Sequence, residues 1–453
     1  MKTINQQNYK SQRALFLKIG FILLLLLLLM IPNLLIQNLI LERQSLDSEV
    51  KQTISSHWGP SQQIIGPILS IPYTKEVEFD DTKKLSHHTL RIVPENLEMD
   101  VDLNTEERKK GIYKAILYNG NHQLSGSFNL PSPTDFGDFV KEIHWDRAVV
   151  DIGFSSAASL DDIVQFYWNN DTYKMESGLS NSSLFYSGIH TKVTIDSLKE
   201  VYQFSSEIGI NGSRSIQYLP IAGNTKVRMN SSWDSPGFFG LPSPQHREIS
   251  NDGFTAEWSA TEYNRPFKNM WKDNEVQLYQ EKSLFGVELI QTVGHYQKNM
   301  RSAKYALLIL SLSFLVFFFF EILKGSKIHP IQYIFIGLTL SVFYILLLSF
   351  SEHIGFNSAY ILAATATIGL ISWYSRYLLK QGNKVVILSA VLVILYGYIF
   401  TILQMEDLAL LVGSIGLFAT LAITMYLSRN TDWYTMGSGS TTSNSADDLV
   451  VPS

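Results

Sequence analysis

The chain has 453 residues, a formal net charge of -5, a charged fraction of 17% and an aromatic fraction of 12%. Soluble proteins usually carry about 25% charged residues, so this composition indicates contact with lipid. The sequence contains no large basic block, and we therefore expect no nucleic-acid partner. The absence of cysteine excludes disulfide bonds, thiolate metal sites and cysteine nucleophiles.

A long apolar run at residues 19–41 follows a polar, basic segment at residues 1–18. The run has the roughly 20 residues needed to cross a hydrocarbon layer about 30 Å thick. A cleaved signal peptide is the alternative, but its apolar region would extend over only about 7–15 residues and end at small residues. Here Leu34 and Leu35 continue the run and Glu42 follows directly, so we favour an uncleaved anchor helix.

Five further apolar segments predict a hairpin-linked bundle within residues 301–434. The positive charges alternate along it, because Lys or Arg follows the second, fourth and sixth spans, whereas the other two turns carry acidic residues. Under the positive-inside rule, residues 1–18 and the C-terminus lie in the cytoplasm and residues 42–300 lie outside it. The five predicted spans are residues 303–323, 331–351, 358–378, 384–404 and 407–428.

Three basic residues, Lys298, Arg301 and Lys304, precede the second span on the outer side, against the positive-inside rule. The rule is counted over short loops, and a large translocated domain dilutes it. Basic residues at this place also suit contact with lipid head groups. We therefore keep a topology with both termini in the cytoplasm.

Residues 42–300 predict a β-rich domain. Helical spacing continues over 42–58, and short β-branched or aromatic runs such as IIGPILSIPY (64–73) then alternate with turn residues. This pattern is typical of antiparallel sheets in a sandwich or partial barrel. The Gly/Ser/Thr-rich tail, residues 435–453, predicts disorder in the cytoplasm. The predicted fold class is an integral membrane bundle of six spans with a large, mainly-β extracytoplasmic domain.

Candidate functional residues are the ionisable groups at the ends of the spans, because such groups inside a membrane are expensive and often functional. Glu321 and His329 lie at one end. Because Pro330 suits the first helical position, we favour His329 as the residue that caps this helix. The candidates at the other end are Glu352, His353, Glu406 and Asp407. We find no H-E-x-x-H, P-loop or G-x-S-x-G motif, and we expect no metal, cofactor or catalytic site.

Several long blocks of this sequence resemble the CreD family of bacterial inner-membrane proteins, over about Phe16 to Tyr434. The blocks include EILKGSKIHPIQY (321–333), SEHIGF (351–356) and SSWDSPGFFGLPSPQHREISNDGFTAEW (231–258). The resemblance implies an anchor helix, a periplasmic domain and a helical bundle. It also implies an association with envelope integrity and with responses to colicin and β-lactam stress. It implies no catalytic residue.

We therefore expect a non-enzymatic envelope-integrity or stress factor that acts through membrane lipids or other envelope proteins. A first alternative is a small-molecule or lipid transporter, which predicts a continuous polar cavity between the helices of the bundle. A second alternative is a membrane enzyme acting on lipid or cell-wall precursors, which predicts that Glu352, His353, Glu406 and Asp407 converge in one pocket. The sequence does not set the oligomeric state.

Overall fold

A computed structural model describes residues 2–79, 82–181, 185–276, 278, 283–291, 294–324, 328–379, 382–405 and 408–429. The chain divides into two compact units. The helical unit consists of Met1–Ser45 and Val293–Ser453, and the β unit consists of Leu46–Thr292. Two of the sequence predictions, the acidic turn Glu406-Asp407 and the tail 435–453, lie outside the described residues.

Seven α-helices are found in the described part of the chain, and the first runs through the helical unit into the β unit. They are α1 (Lys2–Trp58), α2 (His295–Lys304), α3 (Ala306–Lys324), α4 (Pro330–Ile354), α5 (Phe356–Leu379), α6 (Gly382–Gln404) and α7 (Ala409–Ser428). Within the described ranges, α1, α4, α5 and α6 are long and apolar enough to span a membrane. The bent pair of α2 and α3 is long and apolar enough for a fifth span if the two helices are taken together, and α7 contains a shorter apolar segment, Leu411–Tyr426.

The helix between the β unit and the bundle is broken, where the sequence predicted one continuous span over 303–323. The axis bends by 45° between α2 and α3. The Tyr305 amide closes α2 by donating to the carbonyl of Ser302 at 3.0 Å, and the Leu308 amide donates to the carbonyl of Tyr305 at 3.0 Å. The break separates two compositions, because α2 is polar and basic whereas α3 is apolar.

Close packing joins the anchor helix to the bundle. Leu25, Leu29, Ile36 and Ile40 of α1 are buried in the same apolar cluster as residues of α3 to α6. Gly337 of α4 allows this approach, since a Cβ atom there would lie 2.3 Å from a methyl carbon of Leu29. Small residues at helix contacts are the usual means by which membrane helices approach closely.

The β unit contains eighteen strands in the described residues. They are β1 (Gln62–Phe79), β2 (Thr82–Ile92), β3 (Asn96–Lys110), β4 (Tyr113–Asn129), β5 (Val140–Ile143), β6 (Ala148–Phe154), β7 (Gln165–Trp168), β8 (Asp171–Lys174), β9 (Glu176–Ser177), β10 (Ser187–Val193), β11 (Val201–Ser213), β12 (Ser215–Tyr218), β13 (Asn224–Ser231), β14 (Pro236–Gly240), β15 (His246–Ser250), β16 (Gly253–Thr261), β17 (Met270–Lys272) and β18 (Phe285–Leu289).

These strands form two sheets that enclose one apolar core. The first sheet has the order β14-β18-β12-β1-β6-β10-β9, with β2 and β5 also paired to β1 and β17 paired to β2. The second has the order β15-β16-β13-β3-β4-β11-β7-β8. Trp258 of β16 in the second sheet packs against Phe238 and Phe285 of the first, with ring centroids 5.7 and 5.9 Å apart. The predicted mainly-β fold is confirmed.

Two strand pairs are parallel, which differs from the purely antiparallel sheets that the sequence predicted. β1 pairs with β12 and β3 pairs with β13. Parallel neighbours need a long crossover and are therefore distant in sequence, so turn residues do not reveal them. In the β3–β13 pair, Glu98 lies opposite Lys226 and Asp100 opposite Arg228, and both form ion pairs, at 3.4 and 2.6 Å.

A buried polar contact links the two sheets through His122 of β4. Its Nδ1 lies 3.1 Å from the carbonyl oxygen of Gly120 and 3.3 Å from that of Ile208. Since carbonyls only accept, Nδ1 carries the proton, and Nε2 accepts from the hydroxyl of Tyr218 of β12 at 3.0 Å. Burial lowers the pKa of His122 to about 4, because the protonated ring would lose its hydration.

The neutral state of His122 makes the stability of the β unit depend on pH. The unfolded chain binds a proton at this ring below about pH 6.5 and the folded chain does not, so stability falls as pH drops from 6.5 towards 4. At pH 5 we expect a loss of about 2 kcal/mol relative to pH 7. Over a unit of this size, that is a decrease of about 4–8 °C in the melting temperature.

Tryptophan fluorescence of the full chain measures this effect, since six of the eight tryptophans lie in the β unit. We expect His122→Gln to reduce the difference in melting temperature between pH 7 and pH 5. His87→Gln is the matched control, because His87 is exposed on β2, and should leave that difference unchanged. Equal pH dependence in wild type and His122→Gln would contradict the assignment of a buried neutral ring.

Candidate functional site

One polar cluster lies at the end of the bundle where the apolar run of α1 begins and α3 ends. The Lys18 ammonium donates to Oε1 of Glu321 and, at 2.9 Å, to the carbonyl of Ile328. The hydroxyl of Tyr333 donates to Oε2 of Glu321 at 3.2 Å. The side chains of Lys18 and Glu321 are only 21% and 18% exposed, so water screens the pair little. This cluster, Lys18, Glu321, Ile328 and Tyr333, is called the lysine clamp below.

The lysine clamp connects α1, the end of α3 and the beginning of α4. Both carboxylate oxygens of Glu321 accept a hydrogen bond from a neighbouring helix, which satisfies the charge where it is partly removed from water. The predicted candidate Glu321 therefore occupies a position that holds helices together.

His329 is the N-cap of α4, as the sequence interpretation predicted. Its backbone is extended, its Nδ1 accepts from the Ile331 amide at 3.4 Å, and its own amide donates to Oε1 of Gln332 at 2.8 Å. Pro330 stands at the first helical position, where its missing N–H costs nothing. His329 thus begins a helix, and its ring is engaged in the capping hydrogen bond.

A second polar cluster lies at the opposite end of α4, where α2 packs on it. The hydroxyl of Tyr296 donates to Oε1 of Glu352 at 3.0 Å. The Asn299 amide donates to Oγ of Ser351 at 2.6 Å and to the carbonyl of His295 at 2.8 Å. Tyr296, Asn299 and Ser351 are buried and Glu352 is half-buried. These four residues, Tyr296, Asn299, Ser351 and Glu352, are called the α2 clamp below.

Further contacts extend this end of the bundle to α5 and α6. The Lys298 ammonium donates to Oε1 of Gln404 at 3.4 Å, and the Gln404 amide donates to Oδ1 of Asn357 at 2.6 Å. Lys298 also lies 5.9 Å from the ring centroid of Phe356. The short helix α2 is thereby attached to α4, α5 and α6.

The structure separates the two neighbouring candidates Glu352 and His353. Glu352 accepts from Tyr296, whereas the side chain of His353 is exposed. Gly355, with φ of 76°, follows as the C-cap of α4. Glu406 and Asp407 lie outside the described residues, so the predicted convergence of all four remains a prediction.

Aromatic rings fill the space between α4, α5 and α6. Phe343 packs edge-on against Tyr344, Tyr360 and Tyr396, with centroids 4.9, 5.5 and 4.9 Å apart. The hydroxyl of Tyr360 donates to the carbonyl of Tyr396 at 2.8 Å. This cluster is a packed contact between three helices.

The β unit contains a fully buried carboxyl group, Asp151 of β6. It accepts from the amide and the hydroxyl of Ser180 at 2.7 and 2.5 Å. Burial raises the pKa of Asp151, and the two hydrogen bonds oppose this shift. Asp151 therefore fixes the segment at Ser180. Among the described residues, no three His, Asp or Glu side chains are grouped as metal ligands.

Sequence reasoning missed Tyr296 and Asn299, and the signal that reveals them is a helical period. In α2, buried positions recur as Tyr296, Asn299 and Ala303, and the basic residues follow the other positions. This spacing is typical of an amphipathic helix that packs on a neighbour. The sequence prediction assigns these residues to the end of the external domain, 42–300, where such a helix has no predicted partner.

Comparison with known proteins gives two findings. A protein family described as "Inner membrane protein CreD" matches residues 14–434. The chain is also similar to the Inner membrane protein CreD of Escherichia coli (strain K12), with 28% identity over 420 residues, 92% of each chain.

The lysine clamp predicts that the effects of substitutions at Lys18 and Glu321 on the unfolding free energy are strongly coupled. Replacing Glu321 by Leu leaves a mostly buried ammonium group without its carboxylate, and we expect a loss of about 1–3 kcal/mol in unfolding free energy. Adding Lys18→Met to Glu321→Leu should restore much of this loss, because the unpaired charge is gone. Circular dichroism of the helices during unfolding in detergent, on both single variants and the double variant, measures the coupling. If the double variant loses the sum of the two single losses in unfolding free energy, the coupling is contradicted.

Proposed function

Because the chain belongs to the CreD family of inner-membrane proteins, we propose that it contributes to the integrity of the bacterial cell envelope through contacts with lipids or envelope proteins, without catalysis. In this proposal six helices span the inner membrane, both termini are cytoplasmic, and the β unit lies in the periplasm. The alternation of basic and acidic turns between the helices supports this orientation.

The observation that carries the proposal is that the ionisable candidates Glu321 and Glu352 are hydrogen-bonded to neighbouring helices of the bundle. Glu321 is held by Lys18 and Tyr333, and Glu352 by Tyr296. A general base must reach the proton of a substrate within hydrogen-bonding distance. Both oxygens of Glu321 and Oε1 of Glu352 instead accept hydrogen bonds from neighbouring helices, which supports a role in assembling a surface.

Features of the bundle also favour this role over transport. The Phe343 cluster packs three helices together with aromatic rings. Thr420 and Thr424, which line a groove between α3, α6 and α7, direct their hydroxyls to carbonyls of their own helix at 2.8 Å. A polar path needs polar groups that face it, and these hydroxyls are already satisfied.

Reporter fusions test the orientation. A fusion of alkaline phosphatase at residue 150 should be active and a fusion at residue 381 inactive, since the first would lie in the periplasm and the second in the cytoplasm. A fluorescent protein that matures only in the cytoplasm should give the opposite pattern. A fusion at residue 150 that fluoresces would overturn the proposed topology.

Complementation of a deletion strain under β-lactam or detergent stress tests the contact-based role. Glu352→Gln keeps an oxygen that accepts from Tyr296 but removes the carboxylate, and His353→Gln removes the exposed imidazole. Both variants should complement fully, whereas Asn299→Leu, which breaks the α2 clamp, should complement at least tenfold less well at equal protein level. Loss of function in Glu352→Gln or His353→Gln would instead favour the alternative that the protein is a membrane enzyme.

A further inference from the structure

An apolar groove of about 340 Å³ runs between α3, α6 and α7. Leu308, Leu312 and Phe319 line it from α3, and Ala419 lines it from α7. Exposed Ile394 of α6 also lines it, so the groove opens sideways to the surroundings of the bundle. A lipid chain can therefore enter it from the bilayer.

The polar groups along the groove are satisfied by the protein. The hydroxyls of Thr420 and Thr424 donate to carbonyls one turn earlier, and the hydroxyl of Tyr398 donates to the carbonyl of Val412 at 2.5 Å. Gly416 makes room for the Tyr398 ring, since a Cβ atom there would overlap its hydroxyl. The groove thus presents methyl and methylene groups and suits a hydrocarbon chain better than a polar ligand.

The length of the groove matches one leaflet. Leu308 and Phe319 are eleven residues apart on α3, which is about 16 Å at 1.5 Å per residue. The hydrocarbon layer of a bilayer is about 30 Å thick. A single acyl chain from one leaflet would therefore fill the groove along its length.

Positive charge is fixed at the end of the groove where α3 begins. Helix α2 has three basic residues, Lys298, Arg301 and Lys304, and no acidic residue. It directly precedes α3, and the hydrogen bond from Lys298 to Gln404 attaches it to the C-terminal end of α6. Lys304 is exposed and is the last residue of α2, at the junction with α3 beside the end of the groove that Leu308 lines.

We propose that this groove binds one acyl chain of an anionic phospholipid, with the phosphate paired to Lys304. The inference deepens the proposed function by naming its lipid partner, and it rests on the proposed placement of these helices in the bilayer. The acyl chain supplies apolar contact and the net negative charge of the head group supplies selectivity, since one basic residue near a membrane surface favours anionic lipid about fivefold.

Native mass spectrometry of the delipidated full chain in detergent tests the proposal, with phosphatidylglycerol and phosphatidylcholine of identical chains as probes. We expect wild type to bind phosphatidylglycerol about fivefold more tightly than phosphatidylcholine. Lys304→Gln should remove this preference, mainly by weakening the binding of phosphatidylglycerol, the lipid with a net negative charge. Ala419→Trp fills the groove and should weaken binding of both lipids at least fivefold.

Two matched controls separate the site from general effects. Lys192→Gln removes the same charge from an exposed position on β10 and should keep the preference. Ile415→Trp adds the same ring to α7 at an exposed position outside the groove lining and should bind both lipids as wild type does.

Equal binding of the two lipids by wild type, or a preference that persists in Lys304→Gln, would overturn the proposal. So would unchanged binding in Ala419→Trp. These binding measurements are independent of the complementation and fusion experiments, so a failure here leaves the envelope role standing. A failure of complementation likewise leaves the lipid site to be judged by binding alone.

Discussion

The arrangement of the helical unit depends on polar contacts at its two ends. In a bilayer, apolar side chains gain little from leaving lipid for another helix, so hydrophobicity alone does not decide which helices are neighbours. Polar groups at the ends are different, because leaving them unpaired next to hydrocarbon is costly. Lys18 and Glu321 are 303 residues apart in sequence, yet their pairing places the anchor helix beside α3 and α4. The lysine clamp therefore selects one arrangement among many that are equally apolar.

The α2 clamp has the same role at the other end, and it also determines where charge is placed. Asn299 and Tyr296 attach α2 to α4, and the basic residues follow the remaining faces of this helix. The basic residues of α2 conflict with the positive-inside rule when loop charges are simply counted. Their helix is held in a defined position against the other helices of the bundle.

The limits of sequence reasoning follow from the range of each interaction. His329 and Pro330 act on their own backbone, so the beginning of α4 was predictable. Gly337, Ser341 and Tyr344 lie on the buried face of α4, at positions that a helical period brings together. The break at Tyr305 was missed because the change from polar α2 to apolar α3 also suits the simple beginning of a span. The parallel β3–β13 pair and both clamps join residues far apart in sequence, and no local pattern encodes such pairings.

The segment Ser351-Glu352-His353 shows how function and assembly are connected in this bundle. A carboxylate beside an imidazole suggests proton transfer, but the two side chains have different surroundings. Glu352 accepts from Tyr296, Ser351 accepts from Asn299, and His353 is exposed. The conformation of one turn of α4 thus holds a basic helix in place, and that helix carries the charge beside the groove of α3, α6 and α7. Of the two residues that resemble a catalytic pair, Glu352 thus attaches α2 to α4, and His353 remains exposed.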